Sequence, residues 1–437
     1  MTHEGGTGLS RLGSYEILRP IAHGGMADIY LARPAGGALE PPVALKVLSE
    51  ARAADAELRA LFFHEARVCT LLDHPNIASV LDVDVADGRH YLTMEYVDGV
   101  DLRELLAAAG RASRGVPYEV AVAIIAAAAA GLDHAHRRCD AGGRPLRLVH
   151  RDVSLSNLMV GHDGAVKVVD FGIASTTISD VHTLPGIVRG KASYMSPEQC
   201  LGDELDHRTD VFALGVVLYE LTTGARCFHG KSDFERMLAV VRGDYIPPSQ
   251  IVAGYPHELE RVIRTALASA PEQRYASCAD MIEALEAVRA RHGWAGGAAP
   301  IARLMVELFR TAAPAEAQGA ASIAALDAAL DAALPGGDTV AEPAVTARQP
   351  VLPEILAASG AIPPHALAIA SAPTAPRWAL ARGSTRRLGG LERAAVTEAA
   401  IAACEKPTRE LWLDDDDART RGRRVRPRRA SAPKLAA

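Results

Sequence analysis

Short alternations of apolar and polar residues dominate the N-terminal part of the chain, and longer stripes at helical spacing follow. Tyr15 to Ile21 and Ile29 to Arg33 read as two strands. Between them lies Ala22-His-Gly-Gly-Met-Ala-Asp28, whose glycines let backbone amides come close to a ligand. Val43-Ala-Leu-Lys-Val-Leu48 alternates with period two, so Val43, Leu45 and Val47 face one side of a sheet and Ala44, Lys46 and Leu48 the other. Asp55 to Leu72 reads as a helix with an apolar stripe of Leu58, Leu61, Phe62, Cys69 and Leu72. Glu65 falls inside that stripe. A carboxylate there costs several kcal/mol unless it is paired, and Lys46 is the natural partner. Tyr91 to Gly99 reads as a further strand running into a turn.

Pro117 is well placed to open a long helix reaching about Arg138, and Cys139 to Leu148, with Gly142-Gly143, reads as a small hairpin insertion. Asp163-Gly164 then predicts a two-residue hairpin turn between short apolar runs. Pairing outward from it places Val160 opposite Lys167, Leu158 opposite Val169 and Asn157 opposite Asp170. An amide oxygen and a carboxylate would stand side by side at the open end. Hard divalent cations that carry phosphates take such ligands. Asp152, on the preceding loop, adds a carboxyl group available as a base. Arg208 to Thr223 is apolar nearly all round and belongs in a core.

Past Trp294 the composition shifts to alanine, proline and glycine. Pro300 to Arg310 reads as one amphipathic helix, with Ile301, Leu304, Met305, Leu308 and Phe309 on a docking face. Ser322 to Leu334 is alanine-rich and weakly helical alone. Asp414 to Asp417 precede an arginine-rich run from Arg419 to Arg429. The expected organisation is a flexible N-terminus over 1–14, a domain over 15–292, a docking helix within 293–312 and a disordered tail over 313–437.

Composition narrows the function classes. The 437 residues carry a formal net charge of -6, which gives no general case for nucleic acid or a membrane surface as partner. Six scattered cysteines without a Cys-x-x-Cys pair suit reduced thiols in the cytoplasm. The first residues lack a leader pattern, and the longest apolar run, Ala121 to Leu132, is too short to span a bilayer. No membrane association is expected.

His150-Arg-Asp152, Asn157 and Asp170-Phe-Gly172, in this order and spacing, resemble the catalytic core of protein kinases. The resemblance runs from about Tyr15 to His292, and its closest likeness is to bacterial serine/threonine kinases. It implies an α+β fold of two lobes, a small β-rich N-lobe and a larger, mainly helical C-lobe. It also implies transfer of the γ-phosphoryl of Mg-ATP to serine or threonine hydroxyls of protein substrates. Asp152 would be the base, and Asn157 and Asp170 would hold Mg2+. Lys46, paired with Glu65, would bind the α- and β-phosphates. Ala44 would roof the adenine, with Ile21, Ala22, Gly24, Ala27, Ile29 and Met159 around the nucleotide. Met94 would be the gatekeeper, Glu95 and Val97 would offer backbone groups to adenine, and Asp101 would reach the ribose. Glu198 should pair with Arg274, and Asp210 should brace the His150–Arg151 backbone.

The chain departs from the family pattern in three places. Gly-x-Gly-x-x-Gly appears as Ala22-x-Gly24-x-x-Ala27. The usual lysine two residues after the catalytic aspartate is Ser154, and the usual threonine of the activation segment is Lys191. An exchange of roles is expected, Lys191 supplying the cation near the γ-phosphate and Ser154 the hydroxyl. Arg151 marks the subclass whose activation loop is phosphorylated, here at Thr176, Thr177 or Thr183. A nucleotide-binding pseudokinase scaffold is the alternative. A small-molecule phosphotransferase is disfavoured by the full segment through Ser196-Pro197-Glu198.

Overall fold

The computed structural model describes residues 9–24, 27–37, 40–140, 142–171 and 191–309. Six antiparallel strands form the N-terminal sheet: β1 (Arg11–Leu12), β2 (Tyr15–His23), β3 (Ala27–Pro34), β4 (Val43–Leu48), β5 (Val80–Ala86) and β6 (Arg89–Glu95). Their spatial order is β1-β2-β3-β4-β6-β5. The alternation of β4 sorts its side chains as expected. Val43, Leu45 and Val47 pack with Leu12, Tyr30 and Tyr91 on one face, and Leu48 packs with Phe62, Ala66 and Leu92 on the other. Register shifts flank Pro20 in β2, where proline has no amide to give the ladder.

Two helices follow β4, α1 (Glu50–Ala53) and α2 (Ala56–Cys69). Asp55 starts α2 by accepting the Glu57 and Leu58 amides at 2.8 and 3.3 Å. The buried stripe is narrower than expected. Phe62, Glu65, Ala66 and Cys69 are buried, while Leu58 and Leu61 are half-buried.

The second lobe holds a small sheet, β7 (Gly99–Asp101), β8 (Leu158–Gly161) and β9 (Val166–Val168). Around it lie α3 (Leu102–Arg111), α4 (Tyr118–His136), α5 (Pro197–Leu201), α6 (Arg208–Thr223), α7 (Asp233–Arg242), α8 (Pro248–Ile251), α9 (His257–Ala266), α10 (Cys278–His292) and α11 (Ala298–Phe309). Among the described residues α4 is the one helix long and apolar enough to cross a membrane, yet it is mostly buried inside this lobe. Every residue of α6 from Thr209 to Thr222 is buried. The insertion after α4 is a tight hairpin, with Asp140 N bonded to Arg144 O at 2.9 Å and Leu146 N to Arg138 O at 2.8 Å.

The expected register of the β8–β9 hairpin is corrected by one residue. Leu158 pairs with Val168, Met159 with Lys167 and Val160 with Val166. Gly161 N donates to Ala165 O at 2.8 Å, so the connection is three residues, His162 to Gly164. Gly164 takes φ +86°, as a three-residue hairpin loop requires. Asn157 therefore stands beside Val169, whose amide donates to its carbonyl at 3.0 Å, and not beside Asp170.

The amphipathic helix expected past Trp294 is α11. It buries Pro300, Ile301, Leu304 and Met305 against α3, α4 and β8. A Cβ on Gly164 would lie 2.2 Å from Ala298 O, so glycine is the residue that lets helix and turn touch. Arg114 and Glu307 pair at 2.6 Å at the margin. Gly25 of the glycine tip, Gly172, the candidates Thr176, Thr177 and Thr183, Arg310, the stretch 322–334 and the charged tail lie outside the described residues.

Candidate active site

The cleft between the sheets gathers most of the residues singled out in the sequence. Lys46 leaves β4 with its ammonium 2.8 Å from Asp170 Oδ1 and 3.4 Å from Glu65 Oε1. Glu65 is 8% exposed, so the charge inside the apolar stripe has its partner. Burial alone would lower the Lys46 pKa, but Asp170 and then Glu65 outweigh it and hold the ammonium well above its ordinary range.

Asp170 reaches Lys46 by leaving the ladder. Its φ of +53° is left-handed, a conformation rare for a residue with a Cβ. The turn is held by His150, fully buried, which meets the Val169 carbonyl through Nε2 at 3.1 Å and lies 4.6 Å from the Phe171 ring. The Asp152 amide donates to His150 Nδ1 at 3.3 Å, which places the ring proton on Nε2.

Asp210, at the start of α6, anchors the loop before Asp152 as expected. Its carboxylate accepts the amides of His150 and Arg151, both at 2.8 Å, and His136 Nε2 stands 2.7 Å away. Burial would raise the Asp210 pKa, but the His136 hydrogen bond and charge hold it below the ordinary carboxylate value. Arg151 bends back through φ +67°. Such a conformation costs about 1–3 kcal/mol and persists where the surroundings enforce it.

Asp152 and Asn157 form the second half of the site. The Asn157 amide donates to the Asp152 carbonyl at 2.7 Å and to its Oδ2 at 2.9 Å, orienting the carboxylate. Its own oxygen accepts from Ser156 at 3.3 Å. Ser154 is 2% exposed and shares a 2.9 Å hydrogen bond with Ser156. Lys191 opens a one-turn helix over Lys191–Tyr194, and its side chain lies outside the described residues.

The residues expected around a nucleotide frame the same cleft. Gly24 N donates to Ala27 O at 3.1 Å, and a Cβ on Gly24 would come within 2.9 Å of that oxygen. Ala22 pairs with Ile29, Ile29 with Lys46 and Ala44 with Met94, so glycine tip, roof and gatekeeper position share one sheet. Ile21 begins the last part of β2, and Val97 is buried in the connection to β7. Met159 pairs with Asp101 across β7–β8. The Asp101 carboxylate is engaged, capping α3 through the Glu104 amide at 2.9 Å and holding Arg103 at 2.7 Å. Behind Met94 lies an enclosed space of about 20 Å³ lined by Glu65, Cys69, Ala78 and Phe171. It is roomy enough for one water. A larger cavity of about 720 Å³, between α4 and α10, holds none of these groups.

Sequence reasoning missed two features. Cys69, adjoining Glu65 and Phe171, has its thiol pushed up by burial and the Glu65 charge. Glu95 carries a side-chain ion pair with Lys167 at 2.6 Å in addition to its backbone. The spacing of Cys69 from Glu65, one helical turn, was the available clue to the first. Nothing local marks the second.

The oxygen donors of Asn157 and Asp170 fit a hard divalent cation better than a soft one. Among the described residues no three His, Cys, Asp or Glu side chains cluster as a metal site of their own. Two protein ligands, with phosphate oxygens completing the shell, suit a phosphate-bound cation.

Residues 15–286 match the protein kinase domain family. The chain is 39% identical over 294 residues to the tyrosine-protein kinase MasK of Myxococcus xanthus, covering 67% of this chain and 46% of that one. It is 38% identical over 272 residues to the serine/threonine-protein kinase PknB of Mycobacterium leprae (61% and 42% covered). It is 36% identical over 269 residues to the serine/threonine-protein kinase PrkC of Bacillus subtilis (62% and 39%). The chain thus spans less than half the length of each of these relatives. With Lys46, Glu65, Asp152, Asn157 and Asp170 in one cleft of a two-lobed fold, and more than half of its length matched, the chain belongs to the protein kinase family.

Proposed function

We propose that the chain is an ATP-dependent protein kinase that moves the γ-phosphoryl group of Mg-ATP to serine or threonine hydroxyls of proteins. The observation that carries this reading is a pair of adjoining hydrogen-bonded groups. Lys46 holds Glu65 and Asp170, Asn157 holds Asp152, and the two groups meet through the Val169 amide. Asp152 accepts the proton of the attacking hydroxyl, with its carboxylate oriented by Asn157. Lys46 presents a fixed positive charge to the α- and β-phosphates, and Glu65 limits its motion. Asn157 and Asp170 supply the oxygens for Mg2+, which when bound neutralises charge on the phosphates. Ala44, Ile21, Ala22, Ile29 and Met159 frame the adenine, Glu95 and Val97 offer it backbone groups, and Asp101 lies toward the ribose. Lys191 supplies the cation near the γ-phosphate and Ser154 the hydroxyl, in exchange for the usual lysine and threonine.

Position 154 favours a second reading of the acceptor. It lacks the lysine usual in serine/threonine kinases, and one relative is named a tyrosine-protein kinase. Incubation with radiolabelled ATP, Mg2+ and a generic basic protein, followed by phosphoamino-acid analysis, tests both. Phosphoserine and phosphothreonine are expected, with Asp152→Ala slower by about 10²–10⁴-fold. Phosphotyrosine alone would reassign the acceptor, and nucleotide binding without transfer would leave a pseudokinase scaffold.

Activation-loop autophosphorylation belongs to the same reading. Arg151 Nε is buried without a hydrogen-bond partner among the described residues, and burial pulls the guanidinium below its ordinary value. A phosphate carrying roughly two charges would satisfy it. Mass spectrometry after incubation with Mg-ATP should find phosphate between residues 172 and 190. The unpaired state of the five described cysteines supports a reducing, cytoplasmic setting.

A further inference from the structure

The connection between the lobes carries side chains that phosphoryl transfer does not use. Glu95 ends β6, at the start of the segment assigned above to adenine. Both oxygens of its carboxylate meet the Lys167 ammonium, Oε1 at 2.6 Å and Oε2 at 2.8 Å, and Oε2 also accepts the Ser79 amide at 3.3 Å. The Lys167 side chain is 14% exposed and that of Glu95 33%. Lys167 lies on β9 directly across from Met159, on the floor of the same cleft. Ser79 lies between α2 and β5, on a loop tied to β9 by three bonds. Ala78 N meets Val168 O at 3.0 Å, Val168 N meets Asn76 O at 2.9 Å, and Asn76 Nδ2 meets Val166 O at 3.0 Å. Glu95 N closes the circuit on Ser79 O at 2.8 Å.

The Glu95–Lys167 pair therefore joins the N-terminal sheet to the hairpin of the second lobe, and the Glu95 carboxylate adds the loop after α2 through the Ser79 amide. An exposed ion pair between flexible side chains contributes little. This one is half-buried, its three elements are already fixed, and removing one partner strands the other charge. We infer that Lys167 is a positioning residue for the adenine half of the nucleotide. By gripping the Glu95 carboxylate it sets where the Glu95 backbone stands relative to the Met159 floor. The inference rests on the kinase reading above.

The test compares wild type with Lys167→Met, Lys167→Arg, Glu95→Gln and the Lys167→Met/Glu95→Gln double variant. Dissociation constants of adenosine and of Mg2+-tripolyphosphate are measured by competition with a fluorescent ATP analogue, and KM for ATP and kcat by phosphate transfer. Lys167→Met is expected to raise the adenosine constant and KM about tenfold. It should leave tripolyphosphate binding unchanged and kcat within about twofold. Lys167→Arg should stay close to wild type, and the double variant should be no worse than Lys167→Met. Equal weakening of adenosine and tripolyphosphate, or additive losses in the double variant, would overturn the assignment. If Lys167→Met does not fold, Glu95→Gln carries the same expectation in milder form, and unchanged adenosine binding there overturns it. A wild type that binds no nucleotide removes the kinase reading and this inference together. A wild type that binds, with Lys167→Met its equal, removes this inference alone.

Discussion

The charged groups of the second lobe and those of the cleft are built on opposite plans. Arg274 meets Glu198 through two parallel bonds of 2.7 Å, with side chains 0% and 7% exposed, and its guanidinium also reaches Ala268 O, Ser269 O and Arg208 O. Asp210 is likewise enclosed and spends its oxygens on two backbone amides and His136. In the cleft a single ammonium is divided between two carboxylates at unequal distances, and Asp170 is 31% exposed. Enclosed, fully bonded charges fix the backbone, because breaking them leaves an orphan in low dielectric. Shared, partly wet charges keep a capacity to exchange partners, which an incoming triphosphate needs. The first plan builds the frame that holds the second.

That contrast can be broken by substitution. Arg274→Ala is expected to have the largest effect, a loss of about 3–5 kcal/mol of folding stability measured by denaturant titration, since it abandons Glu198 in the core. Leu304→Ala should cost about 2–5 kcal/mol in the same titration by leaving a hole between α11 and α4, although Leu304 lies beyond the matched family segment. Acid sharpens the comparison. Asp210 and Glu198 both have pKa values held below the ordinary carboxylate range, Glu198 by Arg274 acting against burial. Their contribution is complete above pH of about 5 and drains as pH falls through the unfolded and then the folded values. The slope should reach about 1.4 kcal/mol per pH unit for each proton, read from melting curves across the acid range. Lys46→Met should give the smallest structural effect, about 1–3 kcal/mol, because it strands the buried Glu65 carboxylate, which burial already inclines to take up a proton, while solvent still reaches Asp170; nucleotide-dependent transfer is lost. A larger stability loss for Lys46→Met than for Arg274→Ala would abolish the distinction.

Pairs forced by burial were the most legible in the sequence. Glu65 inside an apolar stripe required a cation, and Lys46 on the preceding strand supplied it. Glu198–Arg274 and the Asp210 brace came from the family register, and both formed as expected. The hairpin was misread because Asp163-Gly164 suits a two-residue turn, whereas Gly161 and Ala165 close a three-residue one. Turn composition alone does not count loop residues, and a one-residue slip moves Asn157 from Asp170 to Val169. What brings Asp170 to Lys46 is its left-handed backbone, which no strand pattern announces. Lys167 and Glu95 are 72 positions apart and each looks like an ordinary surface charge, so their pairing had no local mark.

The seat of α11 on the Gly164 turn has a practical consequence for anyone cutting the gene. A fragment ending at residue 286, where the family match stops, would bare the apolar bed of Ile301, Leu304 and Met305 and lift a lid from the hairpin that follows Asn157. Such a fragment should be sticky and poorly soluble, whereas one carried through Phe309 keeps its own stopper in place.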